Sequence, residues 1–149
     1  MADEEVHDVV RGEGFAVAHI DALGEPYGFR KIRRELGVTA FGINAIVLPP
    51  GYTSRPHYHD EQEEVYFVHR GRVELELGDG VKHVLGPGGV ARVDPATVRR
   101  LRNVSDEEDA VYVCAGGKDG YVGRDGRRPE GEPPAEGPPG AAPAEGAPQ

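Results

Sequence analysis

Two histidines one residue apart, His57 and His59, stand shortly before a glutamate, Glu64. On a β-strand, side chains at i and i+2 point to the same face, so both imidazoles can aim at one point. If the chain bends after Asp60 and pairs back on itself, the Glu64 carboxylate reaches the same place. Imidazole and carboxylate together suit Fe, Mn, Zn, Ni or Cu. Two histidines and one carboxylate on a face are also the set that holds non-haem Fe(II), with positions left open for substrate.

The run from Gly51 to Gly71 resembles the first motif of the cupin family: Gly, five residues, His-x-His, three or four residues, Glu, six residues, Gly. Gly51, His57, His59, Glu64 and Gly71 all match, with four residues between His59 and Glu64. Glu63 is the alternative carboxylate under the three-residue gap, but Gly71 then falls out of register. The second motif of the family runs Gly, five residues, Pro-x-Gly, two residues, His, three residues, Asn. Here Gly88 and Asn103 fit, while Asp94, Ala96 and Arg99 replace the proline, the glycine and the last metal-ligating histidine. Asp94-Pro95 is good type I turn chemistry, which does not demand glycine at Ala96.

Arg99 is the departure with chemical consequences. Arginine stays protonated and offers a metal no lone pair. A guanidinium ~5 Å from a cation costs about 3 kcal/mol per unit charge at an effective dielectric near 20. Arg99 therefore turns away from the metal, replaces it, or sits beyond it and binds an anionic ligand.

What the resemblance implies is a small antiparallel β-barrel, the jelly-roll-like double-stranded β-helix. Inside it, His57, His59 and Glu64 would hold a divalent transition metal (Fe, Mn, Zn or Ni). Arg99 and Asn103 would contact a small anionic ligand, Arg99 through its bidentate fork. Tyr66 would be the catalytic proton donor or acceptor. The implied activity is a metal-dependent oxygenase or isomerase. The alternative is a metal-free module for a sugar or carboxylate, in which Arg99 pairs with Glu64 and stands in for the metal charge. A metal-independent epimerase with His57 or His59 as base is a third reading. Pairing of edge strands between two copies makes a homodimer the expected assembly.

The elements that must position these residues read as short strands broken by turns, the pattern of an all-β sandwich or barrel. Candidates are 15–20, 40–48, 55–60, 63–70, 73–77, 82–85, 90–93, 98–102 and 110–115. Asp79-Gly80 suits a hairpin turn, and Arg30–Leu36 followed by Gly37 suits a short capped helix. With Glu64 inward, alternation turns Tyr66, Val68 and Arg70 inward and Glu63, Val65, Phe67 and His69 outward. On the last strand either Tyr112 and Cys114 or Val111 and Val113 line the barrel.

Composition bounds the rest. The chain has 149 residues and a net charge of −9. Asp3, Glu4, Glu5 and Asp8 begin it, and Glu130, Glu132, Glu136 and Glu145 lie in its tail, so residues 9–128 hold 18 acids against 17 bases. A nearly neutral body argues against a nucleic-acid footprint, which needs a basic face. The single cysteine, Cys114, suits a reducing compartment, and no apolar run approaches the ~20 residues that span a bilayer. The expectation is a cytoplasmic protein without a membrane partner. Residues 1–14 read as an acidic arm, 15–128 as the barrel domain, and 129–149, rich in Pro, Gly and Glu, as a disordered tail.

Overall fold

The computed structural model describes residues 4–131. The strands are β1 (Val10–Gly12), β2 (Phe15–Val17), β3 (Gly28–Arg30), β4 (Gly42–Leu48), β5 (Tyr58–His59), β6 (Glu63–Arg70), β7 (Val73–Leu77), β8 (Val81–Leu85), β9 (Val90–Val93), β10 (Arg99–Asn103), β11 (Ala110–Gly117) and β12 (Gly126–Arg127). The α-helix among the described residues, α1 (Ile32–Leu36), ends at Gly37, whose left-handed backbone (φ 72°) lets its N–H reach the carbonyls of Arg33 and Arg34. No helix among the described residues is long and apolar enough to cross a membrane.

All pairing is antiparallel. Five strands form one sheet in the order β3-β4-β11-β6-β9, and three form another in the order β10-β7-β8. The chain alternates between them because β6 and β7, joined through Gly71, belong to different sheets. The two sheets enclose Ile46, Leu48, Tyr66, Val68, Val73, Leu75, Val93, Leu101, Tyr112 and Cys114. Each fully buried aliphatic side chain here contributes roughly 1.5–3 kcal/mol. Strand β6 shows the cause: Glu64, Tyr66 and Val68 are buried, while Glu63, Val65, Phe67 and His69 are exposed, as period-2 alternation requires.

Alternation fails at the end of that strand. Arg70, expected inside, is exposed. The pairing of β11 with β6 slips between Val111 and Tyr112, where Val111 faces Arg70 and Tyr112 faces Val68. An irregularity of this kind lets the chain leave one sheet for the other.

On β11, Tyr112 and Cys114 line the interior. Val111 is buried as well, but on the outer face, with Ala45 and Val47 beneath Ile20, Tyr27 and Ile32. The N-terminal segment thus covers part of the sheet's back. The acidic arm expected over 1–14 contains β1, which pairs with β2, so an ordered hairpin crosses the expected boundary at residue 15. Of the strand expected over 55–60, only Tyr58–His59 forms a strand, with His57 in an isolated bridge, and β3 and β12 were not foreseen. Most of the tail lies outside the described residues.

Candidate functional site

His57 stands just ahead of β5 and forms an antiparallel bridge with Arg99 on β10: the His57 N–H donates to the Arg99 carbonyl at 3.0 Å, and the Arg99 N–H returns to His57 at 2.8 Å. The His59 N–H donates to the Pro95 carbonyl at 2.7 Å. The turn at Asp94–Pro95 closes with the Thr97 N–H on the Asp94 carbonyl at 3.2 Å, as its residues predict. Past His59 the chain bends. The backbone N–H groups of Glu61 and Gln62 both donate to Asp125 Oδ2, at 2.9 and 2.7 Å. The bend returns the chain along β6 with Glu64 pointing inside.

Glu64 is the centre of the site and has no exposed surface. Its Oε1 accepts a hydrogen bond from the Tyr66 hydroxyl at 2.7 Å. It also lies 3.2 Å from His59 Nε2, 3.8 Å from His57 Nε2 and 3.8 Å from Arg99 Nη2. Its Oε2 accepts from Gln62 Nε2 at 3.0 Å and from the Cys114 thiol at 3.1 Å. Burial pushes the Glu64 carboxyl up, but the close approach of the His57 and His59 imidazoles and the hydrogen bond from Tyr66 outweigh it and hold the group well below the usual carboxylate range. The same burial, reinforced by the Glu64 charge, pushes the Tyr66 phenol and the Cys114 thiol well up. Tyr66 therefore keeps its proton, which it shares with Glu64, and Cys114 is not an activated nucleophile.

Potential ligand atoms of His57, His59 and Glu64 all lie within 4.8 Å of one another, and all three residues are buried. A metal fits this set on a separate observation. Neither ring nitrogen of buried His59 makes a hydrogen bond with good geometry among the described residues. Its Nε2 faces Glu64, where a cation would satisfy both. Behind the ring, Asp125 Oδ2 lies 3.6 Å from Nδ1.

Arg99 does not turn away. It is fully buried, with its guanidinium facing Glu64 and its Nη1 and Nη2 donating to the carbonyls of Pro95 (3.4 Å) and Asp94 (3.2 Å). Its Nε finds no acceptor among the described residues. Asn103, on the same face of β10, is committed elsewhere. Its Nδ2 donates to the carbonyls of Leu48, Pro49 and Glu108, and its Oδ1 accepts from the Ser105 N–H. The amide ties the end of β10 to two loops.

Two residues of the site were not visible in the sequence. Gln62 shares parity with Glu64, a signal masked by the bend between Asp60 and Glu63. Asp125 lies in a glycine-rich stretch far along the chain, where no local pattern points back to His59.

Residues 45–116 match the family model described as the cupin domain. None of the curated proteins matches the chain. Among solved structures, the chain is similar to a cupin protein from Bacteroides fragilis, at 22% identity and TM-score 0.56, over 62% of this chain and 78% of that one. It is also similar to a sugar phosphate isomerase of the cupin superfamily from Silicibacter pomeroyi, at 26% identity and TM-score 0.54, over 64% and 69%. A conserved protein with a double-stranded β-helix domain from Klebsiella pneumoniae aligns at 17% identity and TM-score 0.56, over 69% and 90%.

Proposed function

The chain belongs to the cupin family, with residues 45–116 as its cupin domain, and from that premise we propose that the barrel holds a divalent transition metal and a small anionic molecule. His57, His59 and Glu64 are the metal ligands, and Fe, Mn, Zn and Ni all suit the donors. The observation that carries this reading is the buried His59 Nε2, without a well-formed hydrogen bond and 3.2 Å from Glu64 Oε1. When bound, the metal supplies a Lewis-acidic centre that polarises a ligand oxygen.

The anion follows from charge. A divalent ion beside the buried Arg99 guanidinium brings more positive charge than the Glu64 and Asp125 carboxylates offset. Buried charge is costly unless paired. The unfilled Arg99 Nε and the fork geometry of its guanidinium suit a carboxylate or phosphate. The likeness to a sugar phosphate isomerase supports a phosphorylated small molecule within that ligand class. Tyr66, kept protonated, holds Glu64 through its hydroxyl and is the proton donor in this proposal. Isomerase or oxygenase chemistry is the class this arrangement serves.

Elemental analysis of the untagged protein, as purified and after reconstitution with each metal, tests the reading. Stoichiometric metal in the parent, lost in His59→Ala, is the expected result. A parent that stays metal-free after reconstitution overturns it.

A second reading has its own observation. Both Glu64 oxygens already accept hydrogen bonds, and Arg99 lies 3.8 Å away. In that reading the guanidinium substitutes for the metal charge, and the protein is a metal-free binding module.

A further inference from the structure

Asp125 lies nine residues beyond Gly116, the last residue of the cupin match, yet it is 6% exposed and stands behind the His59 ring. The segment that carries it is laced to the bend before Glu64. Strand β12 pairs with β5, with Gly126 opposite His59 and Arg127 opposite Tyr58. The Asp60 N–H donates to the Asp125 carbonyl at 3.3 Å, and Arg127 Nη2 lies 2.7 Å from Asp60 Oδ2. One oxygen, Asp125 Oδ2, accepts the N–H groups of Glu61 and Gln62 and also stands 3.6 Å from His59 Nδ1.

We propose that Asp125 is a positioning residue for the metal site, acting on two ligands at once through this one oxygen. This rests on the metal reading above. Through the backbone it sets the bend that aims Glu64 inward and places Gln62, whose amide donates to Glu64 Oε2 at 3.0 Å. Through its charge it favours the tautomer of His59 with the proton on Nδ1, which leaves the Nε2 lone pair directed at Glu64 and the metal. At 3.6 Å the contact is wider than a hydrogen bond, so Asp125 acts on the ring through its charge. Carboxylates behind a ligating imidazole orient the ring and raise its basicity, and their loss typically costs 10- to 100-fold in metal affinity. The C-terminal segment thus completes a site whose ligands all come from the matched domain.

The test uses the full chain and two variants. Asp125→Asn keeps an oxygen for both N–H groups but removes the charge, whereas Asp125→Ala removes both. For each, the Co(II) dissociation constant and absorption spectrum are measured. Amide exchange at Glu61 and Gln62 and the ring nitrogen shifts of His59 are measured in metal-free protein. Support is a Co(II) affinity weakened about 10- to 100-fold in Asp125→Asn, with an altered spectrum and amide protection retained. Asp125→Ala should lose protection as well. Co(II) binding by Asp125→Asn equal to the parent's overturns the proposal. A parent that binds no Co(II) sinks the metal reading, and Asp125 is then judged on the metal-free arm. Changed His59 shifts in Asp125→Asn with protection intact sustain its positioning of the ring, and unchanged shifts overturn it.

Discussion

Arg99 and Glu64, both without exposed surface, face each other across the barrel interior with Nη2 3.8 Å from Oε1. The guanidinium occupies the position where the cupin motif carries a further histidine. In the proposed metal site its charge therefore opposes a cation held by the two histidines and the glutamate.

Arg99→His should tighten metal binding. It removes a charge that opposes a divalent ion by about 3 kcal/mol per unit of charge at ~5 Å, and it adds a fourth donor. An affinity gain of at least about 100-fold, roughly 2.7 kcal/mol, is expected from competition with a chromophoric chelator. Unchanged affinity would mean that Arg99 does not feel the bound ion. Tight binding that appears only in the variant would favour the metal-free module for the parent.

Gly71→Ala should destabilise the barrel. Gly71 has φ +77°, and an added Cβ would lie 2.9 Å from Ala110 Cα, Ala110 Cβ and the Asp109 carbonyl oxygen. Strained backbone and overpacking together cost about 2–3 kcal/mol. Urea unfolding of the metal-free protein measures it, and a loss under about 0.5 kcal/mol would show that the crossing between the sheets relaxes freely.

Cys114 should be inert in the native protein. It is 1% exposed, and burial and the Glu64 charge both push its thiol up. Since the thiolate is the reactive form, modification by a disulfide reagent near neutral pH should run at least about 100-fold slower in the native protein than in denaturant. Rapid native labelling would disprove the packing around Glu64.

The ladder of Arg102, Glu74 and Lys82 on the outer face of the three-stranded sheet should contribute to stability in a pH-dependent way. The hydrogen bond from Arg102 holds the Glu74 carboxyl below its ordinary range. A carboxyl depressed in the folded state stabilises above its unfolded value, about 4.3, and that stabilisation fades as pH falls through the folded value. Glu74→Gln should therefore lower the urea midpoint near neutrality, and the difference from the parent should shrink below about pH 4. A constant difference across that range would assign the effect to packing instead.

The convergence of His57, His59 and Glu64 was determined locally. A period of two and one bend suffice to bring three neighbouring side chains to one face, and glycines at 51 and 71 with left-handed backbone (φ 71° and 77°) mark the turns that bracket them. The inward placement of Tyr66 and Val68 came from the same rule. The rule lapsed at Arg70, where the slipped pairing between Val111 and Tyr112 breaks the alternation. Three matters belonged to the tertiary structure alone. Alternation names the two faces of β11 but cannot say which meets the other sheet, because that depends on the N-terminal segment packing over Val47 and Val111. The parity of Arg99 put it on the inner face, but only the backbone carbonyls of Asp94 and Pro95 aim its guanidinium at Glu64. Asp125 reaches His59 only because β12 pairs with β5. Short-range periodicity carries which residues share a face, whereas contacts closed over a long loop are chosen by the packing of the whole barrel.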